Sequence, residues 1–219
     1  MTKVADDRSR KATGERPKKV SRPRRSGEET RRDILIMTDK LFRERGFGAV
    51  SIADIANALG MSPANVFKHF HSKNALVDAI FLQQIRIFEQ KIHLLDDSHS
   101  PYERMLDLAR TLMENHHSDL NDNPYIFDMI LQTAKRDLAC GEYYQQLIKA
   151  QLAIIIREGI RQGVYRKSDP MEEAGLVLQV LTTILHPVLI AREEAGILAT
   201  RCRDVVGLID RSLKYTLEK

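Results

Sequence analysis

Outside the first 27 residues, apolar side chains recur at intervals of three and four along nearly the whole chain, the spacing that gathers them on one face of a helix. No stretch alternates as a half-buried strand would. Glu28 to Arg45 carries Ile34, Leu35, Thr38, Leu41 and Phe42 on one side and stops at Gly46. Asn74 to about Leu95 presents Leu76, Val77, Ile80, Phe81, Ile85, Phe88 and Ile92, a stripe long enough to connect two domains. Asp96-Asp97-Ser98 marks a break, and Pro101 starts a helix whose Met105, Leu108, Ala109, Leu112 and Met113 repeat at three and four. Asn121-Asp122-Asn123-Pro124 punctuates again, and Tyr125 to Leu138 follows. Glu142 to Gln162 holds Tyr144, Leu147, Ile148, Leu152, Ile155 and Ile156 and closes at Gly163. Asp169-Pro170 pairs an N-cap with proline at the first helical position and opens a strongly apolar helix, Ala174 to Leu185. Pro187, after His186, removes a hydrogen bond and should kink it. A last helix runs from roughly Leu198 to Leu217 with Val205, Val206, Leu208, Ile209, Leu213 and Tyr215. The pattern predicts an all-α chain of about nine helices without internal repeats.

Between the first and the long connecting helix, Ser51 to Lys73, SIADIANALGMSPANVFKHFHSK, reads as two short helices joined by a tight turn. Ser51 with Asp54 three residues on makes a capping box, and Ile52, Ile55, Ala56 and Leu59 form the apolar face. Gly60 supplies the exit turn, and Ser62-Pro63 restarts the helix as N-cap and first residue. In the second helix Val66, Phe67 and Phe70 can face inward, which leaves Ala64, Asn65, Lys68 and His69 to meet a partner. A helix-turn-helix of this kind is how many proteins read the DNA major groove.

Charge strengthens that reading. Residues 1–27 contain ten Lys or Arg against three acids, a local charge of +7; with the whole chain at +4, the other 192 residues carry −3. The basic excess thus lies in an arm just upstream of the helix-turn-helix, where it can neutralise phosphates and release counterions. With nothing large and apolar to bury, the arm should be disordered when free. At 219 residues and 43% hydrophobic content, the rest suits one or two packed domains. The charged N-terminus does not resemble a secretory signal, and no apolar run is long enough to span a membrane. Cys140 and Cys202 lack the paired spacing of a zinc site and read as free thiols in a reducing cytoplasm. His116-His117 and His69-x-His71 cannot converge on one metal ion from a helix, so no metal and no cofactor is expected. No Gly-rich phosphate loop, nucleophile elbow or HExxH motif argues for an enzyme.

The segment TRRDILIMTDKLFRERGFGAVSIADIANALGMSPANVFKHFHSKNAL, Thr30 to Leu76, resembles the TetR family of transcriptional regulators. The resemblance implies a basic arm over 1–27, a three-helix DNA-binding domain over 28–73, and a helical effector-binding and dimerisation domain over 74–219. It further implies a homodimer paired through the last two helices, with double-stranded operator DNA and a small molecule as partners. Carried over by position, Ser51 would contact phosphate at the start of the second helix. Pro63, Ala64 and Asn65 would face base edges, Lys68 and His69 would lie near bases or backbone, and Lys73 would hold a phosphate. Phe67 departs from the family, many members of which have a tyrosine there that donates to phosphate. The family architecture also suggests an effector pocket formed by Met105, Leu108, Leu112, Phe127, Leu131, Ile155, Leu178 and Thr182, with His186 as a polar handle. An apolar effector fits these residues better than a charged one. Repression is the family's usual mode, and release from a palindromic operator by the effector is the expected mechanism. A nonspecific architectural DNA binder, or a helical enzyme, remains the alternative on residues alone.

Overall fold

The structure, a computed structural model, describes residues 26–122, 125, 139–190 and 193–215. The described residues form helices α1 (Gly27–Arg45), α2 (Ile52–Ala58), α3 (Pro63–His69), α4 (Lys73–His93), α5 (Pro101–Asp122), α6 (Ala139–Arg161), α7 (Pro170–Leu185), the single turn α8 (Pro187–Ile190) and α9 (Ala195–Lys214), with no strand among them. The basic arm, most of Tyr125 to Leu138 and the end of the last helix lie outside the described residues.

Local chemistry sets most boundaries. Ser26 and Glu29 form a capping box that starts α1, the Glu29 N–H donating to Ser26 Oγ at 3.1 Å and the Ser26 N–H to Glu29 Oε2 at 2.8 Å. The helix ends at Gly46, whose φ of +79° is a conformation other residues rarely adopt. Ser100 and Glu103 repeat the box ahead of α5. Asp169 caps α7 by accepting from the Met171 and Glu172 N–H groups at 2.7 and 3.1 Å.

Some boundaries differ from the periodicity. Asn121 and Asp122 extend α5 instead of breaking it, α6 starts at Ala139 ahead of Glu142, and α9 begins at Ala195 ahead of Leu198. Proline at position 187 does more than kink. The residue before a proline is pushed out of the helical region, and His186 is extended at φ −66° and ψ 124°, so α7 ends there and α8 starts afresh.

The side chains bury into two cores. One, in the head, joins Ile34, Leu35, Leu41 and Phe42 of α1 to Ile55, Val66 and Phe70 and to Leu76, Val77 and Ile80 at the root of α4. The other, in the body, joins Phe88 and Ile92 at the far end of α4 to the inner faces of α5, α6, α7 and α9. α4 is therefore a member of both. Tyr125 crosses the division: it follows α5 in sequence yet is buried in the head core, 5.9 Å from the Phe42 ring, with its hydroxyl donating to Asp39.

Candidate nucleic-acid interface

The helix-turn-helix is built largely from its own short-range contacts. The Ser51 N–H donates to Asp54 Oδ2 at 2.8 Å and the Asp54 N–H to Ser51 Oγ at 3.2 Å, closing the capping box that begins α2. The Ser51 hydroxyl also donates to Asp54, and this bond holds the Asp54 carboxyl below the usual carboxylate range. In this arrangement the Ser51 hydroxyl proton, assigned to phosphate by resemblance, points at Asp54. Gly60 turns the chain at φ +64°, and Ser62 caps α3 by accepting from the Asn65 N–H at 3.3 Å.

α3 buries Val66 and Phe70, which stand one turn apart. Pro63, Ala64 and Lys68 are exposed, and Asn65 and His69 are half-buried, so these five lie together on the surface the helix offers outward. Phe67 corrects the expectation from periodicity, being 46% exposed where an inward position was predicted. A seven-residue helix resting mainly on α2 can bury only one row of side chains, and a residue next to Val66 in sequence is turned about 100° away from it.

Lys73, the first residue of α4, donates through Nζ to the Phe47 carbonyl, and its ammonium lies 4.0 Å from the Phe47 ring centroid and 5.7 Å from that of Phe42. Burial among these groups pulls its pKa below the ordinary lysine value. The lysine expected to hold a phosphate thus also ties the α1–α2 loop to the root of α4. Arg31, which sequence reasoning passed over, donates from its guanidinium to the His69 carbonyl at 2.8 Å and sits 4.1 Å over the Phe70 ring. An arginine standing among other basic residues carries no local signal of such a contact.

In the body, Met105, Leu108, Leu112 and Ile155 meet in one buried core, with Leu178 partly buried against it. Thr182 and His186 are exposed, the Thr182 hydroxyl donating to the Leu178 carbonyl at 2.8 Å. Phe127 and Leu131 lie outside the described residues. Beside that core stands the half-buried His116. Its Nδ1 is 2.9 Å from the Leu185 carbonyl and its Nε2 2.8 Å from the Tyr144 hydroxyl. A carbonyl can only accept, so Nδ1 carries the proton and Nε2 accepts from Tyr144. Burial pushes the His116 pKa down and keeps the ring neutral. Tyr144 in turn packs against Phe88 of α4 at 5.9 Å. Both thiols are buried: burial, with Asp78 beside it, pushes Cys140 up to about 12, and burial raises Cys202. A thiol held protonated is a poor nucleophile. Among the described residues no cluster could hold a metal ion, and no helix is long and apolar enough to cross a membrane.

Residues 34–80 match the family of bacterial regulatory proteins, tetR family, and residues 101–206 match the tetracyclin repressor-like C-terminal domain. The chain belongs to the TetR family. That is a family of DNA-binding transcriptional regulators, and the helix-turn-helix of α2 and α3 lies within the residues matched to its N-terminal part. TetR-family proteins bind operator DNA and small molecules and act as dimers. Among similar proteins, the HTH-type transcriptional repressor KstR2 of Mycobacterium tuberculosis is 26% identical over 148 residues, 62% of this chain and 69% of the relative. The fold matches a TetR-family regulator of Pectobacterium atrosepticum with a TM-score of 0.66 at 23% identity, covering 87% of this chain and 97% of that one. It also matches the TetR-family repressor FadR of Thermus thermophilus, solved in complex with lauroyl-CoA, with a TM-score of 0.64 at 19% identity over 86% and 97% of the two chains.

Proposed function

We propose that this TetR-family regulator is a dimeric repressor that grips a palindromic operator and is released from it by a small, mainly apolar effector. The observation that carries the reading is the double membership of α4. Leu76, Val77 and Ile80 anchor its first turns in the head, while Phe88 and Ile92 anchor its last turns in the body. An effector that reshapes the body core has a rigid connection to the heads, and heads respaced on DNA lose affinity by the effector's preference for one state over the other.

A single short recognition helix covers too few base pairs to be selective, which favours two heads on two half-sites. Leu176 and Val180 of α7 and Ile197 and Leu208 of α9 are apolar yet 40% exposed or more, and apolar side chains on the last two long helices are what a second subunit would cover. Within each head, Pro63, Ala64 and Asn65 face base edges, Phe67, Lys68 and His69 lie along the groove wall, and Ser51 and Lys73 approach phosphates. Met105, Leu108, Leu112, Ile155 and Leu178 form the wall that a mainly apolar effector displaces. The lauroyl-CoA held by the Thermus FadR and the repressor role in the KstR2 name support the same class of reading.

The test is a fluorescence-anisotropy titration against the chain's own upstream DNA and a scrambled duplex at about 150 mM salt, where nonspecific binding is suppressed. A repressor should prefer the upstream DNA by about a thousandfold or more and lose that preference when a bound compound is added. Equal weak binding to both duplexes would instead mark an architectural protein.

A further inference from the structure

We infer that Arg31 is a positioning residue for the recognition helix, holding its exit end against α1 so that the outward side chains meet base edges in register. The inference rests on the DNA-binding role of α3 and adds a residue that the role itself does not name.

α3 has seven residues and rests mainly on α2. So short a helix is about 10 Å long, and one row of buried side chains leaves it free to roll about its axis. Its last carbonyls have no partner within the helix. Arg31, 38 residues earlier on α1, supplies one by donating to the His69 carbonyl at 2.8 Å. The same guanidinium stands 4.1 Å from the ring centroid of the next residue, Phe70. The two contacts fall on consecutive residues at the point where α3 ends, one on backbone and one on a buried ring. A roll of the helix that kept the first would break the second. One N–H donor goes to the carbonyl and the cation stands over the ring, so Arg31 acts through α3 whether or not its remaining donors meet a phosphate. Lysine cannot replace it: an ammonium offers a point charge where the planar fork both donates and stacks.

Phosphate contacts and positioning contacts separate in the salt dependence of binding. Removing a phosphate contact weakens all DNA alike and lowers the log–log salt slope by about one; a base-reading defect leaves the slope alone. The experiment compares full-length protein with Arg31→Ala and Arg31→Lys variants, titrated with operator and scrambled duplexes across a salt series, after thermal unfolding shows each to be folded. Positioning predicts about a tenfold loss on operator in both variants, unchanged binding to scrambled DNA and an unchanged slope. Parallel losses on both duplexes with a shallower slope for Arg31→Ala, restored by Arg31→Lys, would make Arg31 a phosphate clamp and overturn the inference. Unchanged operator affinity in Arg31→Ala would overturn it too. If Arg31→Ala does not fold, Arg31→Lys alone decides: wild-type operator affinity with charge retained rejects positioning, and a selective loss supports it. Loss of operator preference by the unsubstituted protein would instead strike the DNA-binding role itself.

Discussion

The head and the body are both helical and both start helices with caps two or three residues long, yet their long-range polar contacts fall differently. In the head Arg31 and Lys73 tie backbone carbonyls around the helix-turn-helix, and in the body such contacts lie among the helices around its core. In the head, helix starts are set by pairs three residues apart: Ser26 with Glu29, Ser51 with Asp54, Ser62 with Asn65. Beyond its caps, the body is tied by contacts such as His116 to Tyr144 over 28 residues, Tyr165 to Asp210 over 45 and His116 to Leu185 over 69. A short-range pair stabilises one helix whatever surrounds it. A long-range pair exists only once the body has assembled, and it changes when the body does. The head's long-range contacts hold its helices in one arrangement, and the body's change with the packing of its core.

Tyr125 is the sharpest challenge to that division, because a residue from the body's stretch of sequence completes the head's core. Tyr125→Ala should cost about 3–5 kcal/mol in chemical denaturation, as for other large buried aromatics. The loss should appear as weaker hydrogen-exchange protection along α1, where Phe42 and Asp39 meet the ring and hydroxyl. Tyr125→Phe should retain most of the stability, losing about 1 kcal/mol with the hydroxyl. Protection lost only in α5 and α6, with α1 unchanged, would return Tyr125 to the body.

How much of this was legible follows the same contrast. The five residues that periodicity assigned inward in α1 are the five the structure buries, and the Ser51, Ser62 and Asp169 caps stand where residue type and spacing put them. Such features depend on neighbours within one or two turns. Arg31 on the His69 carbonyl and Tyr125 in the head core were not legible, since nothing within ten residues of either announces the partner. His116 was weighed only as half of an adjacent histidine pair, when its partners are a carbonyl and a hydroxyl brought by other helices. Leu176 and Leu208 belong to apolar stripes that read as core, but monomer packing buries only part of each stripe.

Burial of a histidine also makes the body sensitive to pH. Burial depresses the folded pKa of His116 below its ordinary value of 6.5. Above that value both folded and unfolded chains hold a neutral ring and the group leaves stability unaffected. As pH falls below it the unfolded chain takes up a proton that the folded one resists, so stability declines toward the depressed pKa. Thermal unfolding from pH 7.5 to 5.5 should show this decline, and His116→Gln should flatten it; equal slopes in both proteins would place the proton uptake elsewhere. The smaller effect of a cap is the same in either region. Ser51→Ala in the head and Ser100→Ala in the body should each cost about 1 kcal/mol. A cost in the body several times that in the head would mean the α5 cap takes part in tertiary packing.

The finest comparison is between the two flanking aromatics at the end of the recognition helix, Phe67 and Phe70. Phe70 is 1% exposed and held under Arg31, so its ring belongs to the head's packing. Phe67 is 46% exposed at a position where many members of the family donate a hydroxyl to phosphate, and a phenyl ring there offers only an apolar edge. Phe67→Tyr adds one hydroxyl without changing the ring, and an exposed hydrogen bond to a charged acceptor is worth about 1 kcal/mol net, several-fold in affinity. A phosphate carries no sequence information, so operator and scrambled DNA should both gain by that factor while the ratio between them stays fixed. If the gain falls on operator alone, the ring reads bases and not backbone; if affinity drops, the phenyl edge already packs on an apolar part of the groove, such as a thymine methyl, that a hydroxyl displaces.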